Sequence, residues 1–275
     1  MPPAHAETAR PNAAVTWPVP VPPWFWKWAR WHLHRGEFAA GPVRNRETRP
    51  ADAPDEIPPW AWRRLAAMLG EEPVPAPAKP LSLGSRGGYV LALERALNTA
   101  GYPVGPSDGV FDSRTQDGVV TFEKVHGLER DGDVDAVEYA DALTARRPPP
   151  PLRDRNRYLY VDLRRQVLFD VRGGRVQRAL PVSTGGGYPY RSSNGGTYIA
   201  RTPSGSFRIY QKATGWQSSY LGTLYYPSYF RGGYAIHGSP SVPTTPVSHG
   251  CVRIPIWLSI EFFRQTPIGT RVIVR

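Results

Sequence analysis

Pro148, Pro149, Pro150 and Pro151 stand in a row. Four successive prolines cannot sit inside a helix or a central strand, because each ring fixes φ and removes a backbone donor. The run therefore divides the 275-residue chain, and regular structure must form on either side of it. With Arg146 and Arg147 before it, the segment reads as a stiff linker; PVPAPAKP at 73–80 reads as another. The predicted organisation is a Pro/Trp-rich arm over 1–80, a helical domain over 81–145, a Pro/Arg linker over 146–156 and a β-rich domain over 157–275. A hydrophobic content of 40% lets the chain bury a sizeable core, and its length of 275 residues suggests about two domains.

The arm holds sixteen of the 31 prolines and seven of the nine tryptophans. PPWFWKWARW from Pro22 and PPWAWRRLAAML from Pro58 repeat the pattern Pro-Pro-Trp-x-Trp-basic. Proline at a first helical turn followed by helix formers predicts two short helices, whose Trp faces pack on or tether the folded domains, or meet sugar rings or membrane headgroups. No apolar run is long enough to span a bilayer, and no basic-then-apolar signal region follows Met1. Ala4-His5-Ala6 has the small-x-small form of a signal-peptidase site.

Residues 81–145 change character. Val90, Leu93 and Leu97 recur at helical spacing before Gly101, Ser113 stands as a cap before Val119, Val120 and Phe122, and a third helix fits Asp135 to Leu143. After Arg157 the signal is β: YLYVDL, QVLFDV, RVQRALPV, SFRIYQK, GYAIHG, CVRI and TRVIV are short and turn-separated, with one helix from Ile256 to Gln265. The expected fold class is thus multidomain α and β, a small three-helix module followed by a β-rich sandwich.

Charge is uneven. Residues 152–275 carry seventeen basic and four acidic side chains, a net of +13 that exceeds the whole chain's +11. Such a surface attracts nucleic acid, anionic lipid or an anionic cell-wall polymer, and charge alone does not choose among them.

The chemistry concentrates between Tyr234 and Ile254, which contain the only cysteine, Cys251, and two of the six histidines, His237 and His249. A lone cysteine forms no intramolecular disulfide, and a thiol beside an imidazole is a nucleophile with its base. There is no Gly-x-Ser-x-Gly elbow, no phosphate loop and no His-Glu-x-x-His. A metal site lacks nearby carboxylates, since the β-rich part has only Asp154, Asp162, Asp170 and Glu261. Between Gly215 and Gly233 an aromatic-rich stretch reads as a lid over substrate, with Trp216, Tyr225 and Tyr226 as contacts, or else as an aromatic cluster on the sandwich edge.

Ser248-His249-Gly250-Cys251-Val252-Arg253, with His237-Gly238 upstream, resembles the signature of the L,D-transpeptidases of bacterial cell-wall synthesis. PVSTG at Pro181, TPSGSF at Thr202 and GTRVIV near the end occur in the family's order. Residues 81–145 resemble the three-helix peptidoglycan-binding repeat: Leu81-x-x-Gly84-x-x-Gly87, Gly101-Tyr102, Asp108-Gly109-x-Phe111, Thr115 and Gly127-Leu128. They depart from it with Glu94 and Glu123 in place of glutamine, and with Gly118 near the usual alanine.

The resemblance implies Cys251 as nucleophile, His237 as general base and the Gly238 carbonyl as its orienter. Ser248, His249 and Gly250 would shape an oxyanion turn, with Arg253 binding substrate and helping to hold a thiolate. The reaction expected is cross-linking of peptidoglycan between third residues of stem peptides, through a cysteine thioester and with loss of D-alanine. That would serve cell-wall organisation and cell shape. The alternatives are an L,D-carboxypeptidase using the same site and a non-catalytic wall-binding protein. No cofactor and no metal are implied. The partners implied are stem peptides and glycan, with anionic wall polymers possible and nucleic acid not among them; carbapenem β-lactams are the expected covalent inhibitors. The location implied is extracytoplasmic, in the wall or at the outer face of the membrane.

Overall fold

Helices α1 (Gly88–Ala100), α2 (Ser113–His126) and α3 (Ala136–Leu143) open the part of the chain described by the computed structural model, residues 76–275. The tryptophan repeats expected in the arm lie outside these residues. Val90, Leu93 and Leu97 of α1 are buried on one face, and Gly101 ends the helix at φ 85, a left-handed conformation that glycine adopts without a Cβ penalty. Helix α2 is capped by Asp112 rather than by Ser113: its carboxylate accepts from the amides of Arg114 and Thr115 while its own backbone stays extended. Asp135 caps α3 in the same way.

The two glutamates that depart from the peptidoglycan-binding pattern are internal. Glu94 accepts from the Gly109 amide at 2.8 Å and the Thr115 hydroxyl at 3.0 Å, and Glu123 accepts from the Gly132 amide at 2.9 Å. Both side chains tie loops to helices inside the module. Burial, then the neighbouring Glu138, pushes the Glu123 carboxyl up to about 9. It therefore stays protonated at neutral pH, where it has the shape and neutrality of glutamine. Gly118 is required sterically, since a Cβ there would lie 2.2 Å from Val104 Cγ1.

Beyond the proline run the chain builds two sheets. The first has the order β3 (Arg175–Pro181), β2 (Val167–Arg172), β1 (Tyr158–Asp162), β12 (Arg271–Val274), β6 (Gly205–Arg208). The second has the order β11 (Val252–Pro255), β10 (Tyr234–Ser239), β9 (Gly222–Arg231), β7 (Gln211–Lys212), with β8 (Trp216–Ser219) also paired to β9. A short hairpin of β4 (Pro189–Arg191) and β5 (Thr197–Ile199) stands apart, and α4 (Ile256–Gln265) follows β11 directly.

Alternation along the strands sorts side chains into two cores. Leu159, Val161, Leu168, Val272 and Val274 face the second sheet, where Ile236, Val252, Ile254 and the α4 residues Leu258 and Phe262 meet them. Tyr158, Val167, Phe169, Val171 and Ile273 point the other way, into one cluster with Val90, Leu97, Val119 and Phe122 of the helices. The first sheet is thus covered on both faces, which explains why β2 reads as an almost unbroken apolar run.

Polar contacts seal the junction between helices and sheets. The Ala179 amide donates to Gly101 O at 2.8 Å, and Arg147 donates to Gln177 O at 2.6 Å. Trp257 Nε1 of α4 donates to Asp117 of α2 at 2.8 Å, and the fully buried Lys124 donates to Val182 O at 3.2 Å.

Two expectations need correction. The stretch 215–233 is not a loop: β8 and β9 form an antiparallel hairpin with Trp216 opposite Tyr225. The β4–β5 hairpin was not anticipated, because its strands have three residues each and Thr197, Tyr198 and Ile199 are all exposed, leaving no alternation to read.

Candidate active site

Strands β10 and β11 run parallel in register, with Ile236 opposite Val252, His237 opposite Arg253 and Gly238 opposite Ile254. Ile236, Val252 and Ile254 enter the core. By the two-residue period, His237 and Arg253 project from the outer face, and Cys251, one residue before β11, projects with Arg253. All three line one open cleft of about 700 Å³ on that face.

His237 is almost fully buried, and its Nδ1 lies 2.9 Å from Gly238 O. A carbonyl can only accept, so Nδ1 carries the proton and Nε2 holds the free lone pair. Burial, opposed by the Gly238 carbonyl and reinforced by the Arg253 charge, lowers the imidazole to about 4. Cys251 is partly buried, with Sγ 3.8 Å from Gly233 O. Burial raises its thiol above the ordinary range, against the Ala235 backbone hydrogen bond and the Arg253 charge. The resting pair is therefore neutral thiol and neutral imidazole. Arg253 pulls toward the thiolate, in the direction expected of it, but burial outweighs that pull.

The turn before Cys251 is fixed from inside. The Gly250 amide donates to Ser248 Oγ at 3.0 Å, Ser248 Oγ donates to Cys251 O at 2.6 Å, and Thr202 Oγ1 donates to Gly250 O at 2.8 Å. Gly250 sits at φ 136, and a Cβ on it would lie 2.5 Å from the Tyr234 ring. Its amide is thus spent on Ser248. Ser183 and Arg253 exchange backbone hydrogen bonds of 3.2 and 3.0 Å, and Ser248 N donates to Thr184 O, which ties this turn to the segment after β3. His249 also lines the cleft, with its ring edge-on to Tyr188 at 5.5 Å and to Tyr190 at 5.1 Å. Burial and then Arg253 lower its pKa as well.

Trp216, Tyr225 and Tyr226 do not line the cleft. Tyr225 is opposite Gly238, whose missing Cβ would meet Ser259 of α4, so Tyr225 shares the inner face. Trp216 packs tilted against Tyr225 at 4.7 Å, Tyr225 meets Tyr226 edge-on at 4.8 Å, and Tyr226 meets Phe263 of α4 edge-on at 5.1 Å. They form the edge cluster that was the alternative to a lid. The cleft is instead walled by Tyr220, Leu221 and Leu224 of the β8–β9 hairpin, by Tyr229 and Tyr234, and by Tyr190, Ser192 and Ser193 of the β4–β5 hairpin. The sequence reading missed the second wall, although Asn194-Gly195 is a hairpin signal. Among the described residues, Arg253 is the one formally charged side chain that lines the cleft.

A family model described as the L,D-transpeptidase catalytic domain matches residues 156–274, and one for the peptidoglycan binding domain matches residues 86–139. Among solved structures, an L,D-transpeptidase (residues 123–326) from Xylanimonas cellulosilytica is 41% identical over 74% of this chain and 100% of its own, with a TM-score of 0.67. An L,D-transpeptidase from Stackebrandtia nassauensis is 24% identical over 74% and 97%, with a TM-score of 0.41. The LD transpeptidase LdtMt1 in complex with imipenem is 22% identical over 43% and 58%, with a TM-score of 0.35.

Proposed function

The chain belongs to the L,D-transpeptidase family, and on that premise we propose that Cys251 and His237 carry out acyl transfer between peptidoglycan stem peptides. The observation that supports these roles best is the placement of Cys251, His237 and Arg253 on one wall of one cleft, with Gly238 O fixing the proton on Nδ1. A tetrapeptide stem enters with its D-alanine carboxylate toward Arg253, the cleft's cation. Sγ bonds to the carbonyl carbon of the third residue while the thiol proton passes to Nε2 of His237. With the Gly250 amide engaged, the amides of His249 and Cys251 serve the developing oxyanion. Breaking the bond to D-alanine returns the proton from His237 to the leaving amine and leaves a thioester. The side-chain amine of a third residue on a neighbouring stem then attacks, passes a proton to His237, and expels the thiolate, which recovers that proton. The product is a cross-link between third residues; water in place of the amine would release a tripeptide.

Both matched domains concern peptidoglycan, so the protein works outside the cytoplasmic membrane. A carbapenem, a class to which imipenem belongs, would acylate the same sulfur. Intact-protein mass spectrometry tests this directly. Incubation with imipenem or a donor tetrapeptide should add one acyl group to the wild type and none to Cys251→Ala. A wild type that stays unmodified, or an adduct that survives in Cys251→Ala, would sink the assignment. Adding an acceptor stem should yield dimer, and tripeptide alone would identify a carboxypeptidase.

A further inference from the structure

The β4–β5 hairpin has no assigned role in the reaction above, yet its rings run outward from the reactive turn. His249 lies beside Cys251, Tyr190 is 5.1 Å from His249, and Tyr198 is 6.1 Å beyond Tyr190. Tyr190 and Tyr198 are directly opposed across the two strands and so share one face of the hairpin. Tyr190 belongs to the cleft wall, while Tyr198 stands 46% exposed at its outer end, well above what a packed ring would show. Its hydroxyl is held by Asn194 Nδ2 at 2.9 Å, which fixes the ring without covering it. Ser192 and Ser193 add hydroxyls along the same wall.

We propose that Tyr190 and Tyr198 form a stacking platform for the sugar attached to the donor stem, the N-acyl muramyl residue. This rests on the transpeptidase reading. From the carbonyl attacked by Cys251 back to that sugar run the third residue itself, two further residues and the lactyl ether, about 13 Å of extended chain at roughly 3.3 Å per unit. The ring steps of 5.1 and 6.1 Å, which start from His249, the neighbour of Cys251, fall within that reach. An exposed tyrosine face suits the axial C–H groups of a pyranose, and the serine hydroxyls suit its oxygens and N-acyl group. Binding energy gathered on the sugar, remote from the reacting carbonyl, orients the stem in the cleft and raises the acylation rate.

The test compares rate constants for thioester formation, without acceptor, using a GlcNAc–MurNAc tetrapeptide and the free tetrapeptide. The disaccharide donor should acylate the wild type about fivefold to tenfold faster, a ratio in keeping with one well-placed stacking contact. Tyr198→Leu should bring the ratio near one, while Tyr198→Trp, which keeps an aromatic face, should preserve it. A preserved ratio in Tyr198→Trp also excludes general collapse of the hairpin as the cause. Equal rates in the wild type, a ratio unchanged in Tyr198→Leu, or a glycan preference arising only at the acceptor step would each overturn the platform. Failure of both donors to acylate would instead overturn the transpeptidase reading beneath it.

Discussion

His237 illustrates how a side chain is prepared by two opposing influences. Burial removes its charge and the Gly238 carbonyl fixes its tautomer, so that an imidazole with a pKa of about 4 is neutral across the physiological range. Acylation of Cys251 by imipenem should therefore be flat between roughly pH 5 and 8, and fall only as pH drops through about 4 and the imidazole protonates. An acid limb centred near the ordinary histidine value of 6.5 would contradict this. Gly238 carries a second constraint, since a Cβ there would lie 2.6 Å from Ser259 Cβ. Gly238→Ala should destabilise by about 1–3 kcal/mol through overpacking, and adding Ser259→Gly should recover part of the loss in thermal melts. Cys251, His237 and the glycine after it could be picked out as candidates in the sequence because they lie in two short local patterns. The use of the Gly250 amide was not, since it depends on where the Ser248 hydroxyl points after the turn has closed.

At the level of elements, the two hairpins show what a sequence pattern can and cannot place. The aromatics between 215 and 233 were visible, but which of them meet substrate depends on register. Opposite Gly238, Tyr225 faces α4; opposite Ala235, Tyr229 faces the cleft. Tyr225→Ala should thus lower the melting temperature, by the ~3 kcal/mol typical of losing a packed ring, while retaining most of the thioester-forming activity. A selective loss of acylation with unchanged stability would restore the lid. The helices of the module were legible from apolar spacing, and their glutamates looked like departures at a binding surface until their hydrogen bonds placed them inside. Glu123 keeps its proton in the fold up to about 9, whereas an ordinary glutamate loses it near 4.5. The unfolded chain therefore releases a proton that the native state holds, and this group makes the protein less stable as pH rises from about 4.5 to about 9. Glu123→Gln should raise thermal stability at pH 8, with the advantage shrinking toward pH 4.5. Equal stability of the two proteins at pH 8 would show that the carboxyl is ionised and accommodated.

For the described part of the molecule as a whole, the proline run marks a change of local structure without separating the cores. The helices cover one face of the first sheet in a shared apolar cluster, and Lys124, Asp117, Arg147 and Gly101 bond across the junction. Calorimetry of the full chain should show the module and the catalytic sheets unfolding in one transition, and deleting residues 81–145 should yield insoluble protein by exposing Phe169, Val171 and Ile273. A soluble, cooperatively folded truncation would refute that dependence. This shared core was not readable from the sequence, because each run of apolar residues announces that it is buried but not against what. The solitary thiol has a practical corollary. Cys251 is the only sulfhydryl in 275 residues, so a disulfide dye that reacts with the native protein reports on one position alone. Its stoichiometry counts the molecules in a preparation that keep Cys251 as a free thiol, and its loss during storage measures how many have been oxidised, with no substrate required.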